Sequence, residues 1–217
     1  MRSILLIPAL LSVTLLAQQS PKTMTKVEVI LQSADAPAGS FAAKPKVIYR
    51  AGNRYCRIEE APDPDHDIHG VVIINEPNFW MVNLATKTAQ HGVDPGPSFN
   101  CRLPLFANQV LKLPENEGKK LGELEFGQEM EFFQKNGVTP QKGPLLQSKD
   151  TRVYRMAIGD SSVALFTYGT PERPLSVAWR HGDENVIYWY SGFGQLDFDV
   201  TLFSKPEHVK VEDTKPQ

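Results

Sequence analysis

Cysteine is scarce in this 217-residue chain, which carries only Cys56 and Cys101. They are not spaced as C-x-x-C, so a thioredoxin-like redox motif is excluded. Charge of one sign is equally lacking: 23 Lys and Arg face 25 Asp and Glu, a net charge of −2. The two signs are interspersed, which leaves no electrostatic reason to expect nucleic acid or an anionic membrane surface as partner. There is no G-x-S-x-G, no internal repeat and no low-complexity block. After Leu16 no long apolar run follows, so the mature chain is expected to be soluble rather than integral to a membrane.

What is present begins at the N-terminus. Arg2 precedes an apolar run from Ile4 to Leu16, and Gln18-Gln19-Ser20 then turns polar. This is the three-part pattern of a secretory signal peptide, expected to span residues 1–17 and to be cut near Ala17. The run is short for a membrane span, which needs about 20 residues. A periplasmic or secreted location follows, with residues 18–217 as a single domain. In an oxidising compartment Cys56 and Cys101 read first as a disulfide, with two separate buried thiols as the alternative.

Strands dominate the rest. Thr25, Val27, Val29 and Leu31 alternate with Lys26 and Glu28, the period of a half-buried strand. Short runs follow over 46–50, 55–60, 71–75 and 79–84, separated by turn-forming residues. The Pro-rich stretch Asp94 to Pro104 interrupts them, and Phe106–Leu111 reads as a short helix. Leu121–Lys135 is expected to be one amphipathic helix carrying Leu124, Phe126, Met130 and Phe133, although Gly122 and Gly127 weaken it. Pro140 and Pro144 mark a turn-rich connection. Strands return from Val153, and Asp197 to Phe203 is expected to close the fold before a polar tail. Strands, a helical insertion and more strands predict an α+β protein. The expected form is a curved antiparallel sheet, a half-barrel, with helices covering its concave face.

Three groups of residues are candidates for chemistry. Trp80, Met81, Phe126, Met130, Phe133, Trp179, Tyr188 and Trp189 offer large apolar area for lining a ligand cavity, or for plain sheet core. Asp63, Asp65, His66 and His69 gather carboxylates and imidazoles in one loop, a candidate metal site that matches no standard ligand spacing. Gly159-Asp160-Ser161 has the look of an esterase nucleophile block, but it sits late in the chain without a partner D-x-x-H. A turn between two strands explains it as well. No cofactor motif is present, and no catalytic residue is assigned.

The succession Val47–Glu59, then Val71–Asn75, then Phe79-Trp80-Met81-Val82-Asn83-Leu84-Ala85-Thr86-Lys87-Thr88, sets an aromatic strand before a Lys-Thr turn. Arg173–Trp179 and Phe203-Ser204-Lys205-Pro206 stand near the end. Behind a signal peptide, this order resembles the outer-membrane lipoprotein carrier superfamily, the LolA/LolB-like proteins. The resemblance implies an incomplete antiparallel barrel lidded by helices around a hydrophobic cavity, with no catalytic residues. It further implies a carrier or sensor of lipid, an acyl chain or an envelope lipoprotein. The alternatives are an envelope protein-protein interaction module without a small ligand, and a hydrolase using Ser161 or a metal held in the loop from Asp63 to His69.

Overall fold

The computed structural model describes residues 21–33, 43–93, 101 and 114–213. The signal-peptide pattern and the helix expected over 106–111 lie outside the described residues. Six strands come first: β1 (Thr23–Ser33), β2 (Lys46–Ala51), β3 (Tyr55–Glu60), β4 (Gly70–Asn75), β5 (Asn78–Asn83) and β6 (Thr88–Val93). Among the described residues two helices follow, α1 (Glu115–Leu121) and α2 (Glu129–Lys135). Then come β7 (Gln141–Leu146), β8 (Lys149–Ile158), β9 (Ser161–Tyr168), β10 (Arg173–His181), β11 (Glu184–Asp197) and β12 (Lys210–Asp213).

All the strands form one sheet in the order β12-β6-β5-β4-β3-β2-β1-β11-β10-β9-β8-β7. Every pairing is antiparallel except β12 on β6. Tight turns set the register. Gly159-Asp160 and Gly182-Asp183 each join two strands with a two-residue loop, and both glycines hold positive φ, 57° and 55°. Gly159-Asp160-Ser161 is therefore a hairpin corner. The ladder of β1 on β11, from Thr23↔Asp197 to Ser33↔Val186, unites a first wing (β2 to β6) with a second (β7 to β11).

One apolar core lies on the inner face. It runs from Ile58 on β3, through Ile48, Val27, Tyr188, Val177 and Leu165, to Met156 on β8, and takes in Leu121, Leu124, Phe126, Phe132 and Phe133 of the helical segment. Seven strands spaced about 4.8 Å apart would extend about 29 Å if flat. Two seven-residue helices measure only about 10 Å each. They cover this span because the sheet curls around them: Phe126 meets Tyr188 on β11 edge-on at 5.6 Å, while Phe133 packs on Tyr154 of β8 at 5.9 Å.

The helix expected over Leu121–Lys135 is two helices. The chain leaves the α-helix after Leu121 and turns at Gly127, whose φ of +78° no interior helical residue adopts. That break lets Phe126 and Phe133 reach different strands. The connection expected around Pro140 and Pro144 is instead the edge strand β7, where a proline costs no ladder bond on its free side. Asp197 to Phe203 does not close the sheet as a strand. β11 already runs to Asp197, and Val200–Phe203 is a 3-10 turn whose Thr201 N–H donates to Asp199. The segment expected to be a polar tail crosses the outer face of the first wing. Phe203 is buried with Met24, Ala51 and Tyr55, and Val209 and Val211 pack over Val71, Ile73 and Trp80.

Two links fasten the helical segment to the sheet. Cys56 on β3 and Cys101 form a disulfide with their Cα atoms 5.7 Å apart. Cys101 C=O accepts from the Phe126 N–H at 3.0 Å. Beside it, the buried Arg50 guanidinium on β2 donates to Phe126 C=O at 3.0 Å and pairs with the Glu125 carboxylate at 2.5 Å. Its other nitrogens are taken by Gly52 C=O and Asn53 Oδ1. The disulfide joins residues 45 apart in sequence, so in the chain-entropy model it stabilises the fold by about 4 kcal/mol. Reduction, or a Cys56→Ser/Cys101→Ser double variant, is expected to lose stability of that order in urea titrations. An unchanged midpoint overturns this account.

Candidate functional site

The inner face of the first wing carries a cavity of about 530 Å³ bordered by Ile58, Val72, Ile74 and Met81 among others. Register explains how it arises. Alternate residues of β3 to β6 point inward, and the pairings align them in rows across the strands. Ile58↔Val72, Val72↔Met81 and Met81↔Gln90 make one row. Cys56↔Ile74, Ile74↔Phe79 and Phe79↔Gly92 make the next, where the Phe79 ring occupies the space above Gly92. On the other side, Lys46↔Glu60, Gly70↔Asn83 and Asn83↔Thr88 give a polar row. Val72 and Ile74 also touch the packed core, so the cavity continues the apolar surface that the helices cover elsewhere.

The side chains expected to line a cavity go to several places. Met81 borders it and is 47% exposed. Phe126, Phe133, Trp179 and Tyr188 are fully buried in the inner core, and Met130 packs against that core. Trp80 faces outward, stacked on His91 at 5.2 Å beneath the C-terminal strand. Trp189 also faces outward, on the second wing, and donates to Gln32 Oε1 at 3.0 Å. Sequence reasoning missed Ile58, Val72, Ile74 and Glu60. Their signal was the strand alternation itself, once the opposite parity of Trp80 was assigned to the outer face.

The four candidate metal ligands do not converge on one point. Asp63 pairs with Lys44 at 3.2 Å and with His66 at 3.1 Å, while His69 Nε2 lies 3.1 Å from Glu59 on β3. Asp65 sits exposed in the 3-10 turn Pro64–His66. Among the described residues no group of three or more His, Cys, Asp or Glu side chains converges as a metal site. Ser161 Oγ does meet His181 Nδ1, at 3.0 Å across the β9–β10 ladder. Ser161 is 3% exposed, and the His181 ring lies parallel to Trp179 with the ring centroids 6.0 Å apart. Among the described residues no helix is long and apolar enough to cross a membrane.

Two carboxylates on the inner face are perturbed. Burial pushes Glu60 up, countered by Lys46, whose Nζ stands 3.9 Å away; burial pushes Lys46 down. At the start of α2, burial also raises Glu129, although the Tyr190 hydroxyl at 2.5 Å and the Gly127 N–H at 2.9 Å both donate to it. Burial likewise raises Tyr190, with the Glu129 charge adding to it.

No protein-family model matches this chain, and no curated protein matches it. Among solved structures it is similar to an uncharacterized conserved protein from Thermus thermophilus, at 12% identity and a TM-score of 0.48, over 89% of this chain and 91% of that one. It is also similar to a LolA superfamily protein from Nitrosomonas europaea, at 9% identity and a TM-score of 0.35, over 86% of this chain and 91% of that one.

Glu129 yields a test of the buried pair. Its folded pKa lies above the unfolded value, so the native state holds the proton more tightly and this group's contribution to stability falls as pH rises from about 4.5 upward. Glu129→Gln removes that slope while keeping an acceptor for Gly127. The variant is expected to gain stability relative to the parent between pH 5 and pH 8 in urea midpoints. Parallel pH profiles for the two proteins dismiss the assignment.

Proposed function

We propose that this is an exported, non-enzymatic carrier or sensor that holds a lipid-like chain in the inner groove of its first wing. The observation that carries the reading is the cavity of about 530 Å³ set over Ile58, Val72, Ile74 and Met81. Its size falls within the range of about 300–1,000 Å³ usual for small-molecule sites. Binding is by burial, each sequestered methylene contributing about 0.8 kcal/mol. The disulfide and the N-terminal signal-peptide pattern support a periplasmic or secreted location, where protein disulfides persist. Neither nucleic acid nor a cofactor enters the reading.

Alkyl chains of increasing length, titrated against a fluorescent fatty-acid probe, should bind about three- to fourfold tighter per methylene until the groove is filled. Met81→Arg places a charge on the groove floor at a position already half open to solvent, and is expected to weaken binding at least tenfold without lowering the melting temperature. A protein that binds no chain of any length, or a variant that binds as the parent does, refutes the proposal.

A further inference from the structure

The groove is not uniformly greasy, and its polarity is ordered along the strands. Of the residues bordering the groove, Ile58, Val72 and Met81 in one row and Ile74 in the next are apolar, with Gln90 at the outer end of the first row. The row at the opposite rim is Glu60, Gly70, Asn83 and Thr88, all four bordering the cavity. A chain lying along the strands therefore meets carbon over most of its length and polar groups at one end.

That end has a definite chemistry. Asn83 is already engaged: its Oδ1 accepts from the His69 and Ala85 N–H groups at 3.0 and 3.1 Å, and its Nδ2 donates to Asp67 C=O at 2.9 Å. Gly70 has no side chain, and a Cβ there would stand 2.9 Å from Glu60 Oε2, so the carboxylate lies directly across the space that the glycine leaves open. Glu60 faces the groove at 27% side-chain exposure, with the Lys46 ammonium 3.9 Å from it and itself only 5% exposed. Among the described residues that border the groove, the charged one is thus Glu60, an acceptor-only carboxylate that stands between the cavity and the more deeply buried lysine. An anionic head group would meet this carboxylate in a half-buried setting, where repulsion between like charges is weakly screened. A neutral head with hydrogens to donate satisfies the carboxylate and adds no charge.

We propose that the polar row selects amphiphiles with an uncharged, hydrogen-bond-donating head group and discriminates against free carboxylates, with Glu60 as the specificity-determining residue. This rests on the chain-binding reading above.

Two probes of equal acyl length separate the alternatives: 1-monododecanoylglycerol and dodecanoate, titrated at pH 7.5 below their critical micelle concentrations. The parent protein is expected to bind the glyceride at least tenfold tighter. Because a neutral amphiphile partitions more readily into any apolar site, the deciding arm is Glu60→Gln. It should narrow the gap to under threefold, chiefly by strengthening dodecanoate binding. A Lys46→Gln/Glu60→Gln double variant removes both charges of the pair and should give the same narrowing if the single variant folds poorly. Binding of both probes with no preference, or a gap that persists in both variants, overturns the selectivity while leaving chain binding in place. Failure of the parent to bind either probe overturns both.

Discussion

The Arg50 guanidinium is the point on which the arrangement of sheet and helices depends. A curved sheet of this width has an apolar inner face that two short helices must shield, and helices of seven residues are too short to persist alone. Their position has to be imposed by the sheet. Arg50 does this by directing its donors to a β-turn carbonyl, an asparagine and the Glu125-Phe126 corner between the helices. The planar, permanently charged fork suits such multiple fixed contacts in a way that an ammonium does not. Once the corner is fixed, Phe126 points at β11 and Phe133 at β8, and the second wing is sealed.

Among the described residues, the helices that seal one wing do not extend over all of the other. The helical segment shields the inner face from β3 to β8, while the inward side chains of β4 to β6 extend beyond the residues it touches. The outer face of that same first wing is closed by the returning C-terminal segment, with Phe203, Val209 and Val211 on its surface. Among the described residues, the first wing is thus covered on its back by the C-terminal segment and carries the cavity on its front. The asymmetry gives the cavity a rigid floor, which favours binding by limiting the ordering that a ligand must induce.

Much of the architecture could be read from the residues. The alternation from Thr25 to Leu31, the glycine-bearing corners and the absence of long helical periodicity foretold a curved meander. Other elements were hidden for physical reasons. The apolar period of Leu124, Phe126, Met130 and Phe133 continues across Gly127, so the glycine weakened the expected helix without marking that the chain breaks there. β7 and β12 are edge strands, whose side chains are mostly polar or interrupted by proline. The site was least legible because a hollow is made by modest side chains. Large aromatics attract attention as lining, yet Trp179, Tyr188, Phe126 and Phe133 are the residues whose bulk fills space. Gly70, Val72 and Ile74 leave it empty.

The parallel attachment of β12 to β6 has a bearing on how the molecule is made. β6 ends at Val93, whereas its neighbour begins at Lys210, and His91 clasps Asp213 at 2.8 Å across that junction. During synthesis the first wing emerges early with a row of bare peptide groups along β6, a template for mispairing with other chains. It stays so until Lys210–Asp213 have been made, more than a hundred residues later, so for that interval the edge of the wing depends on a partner still to come.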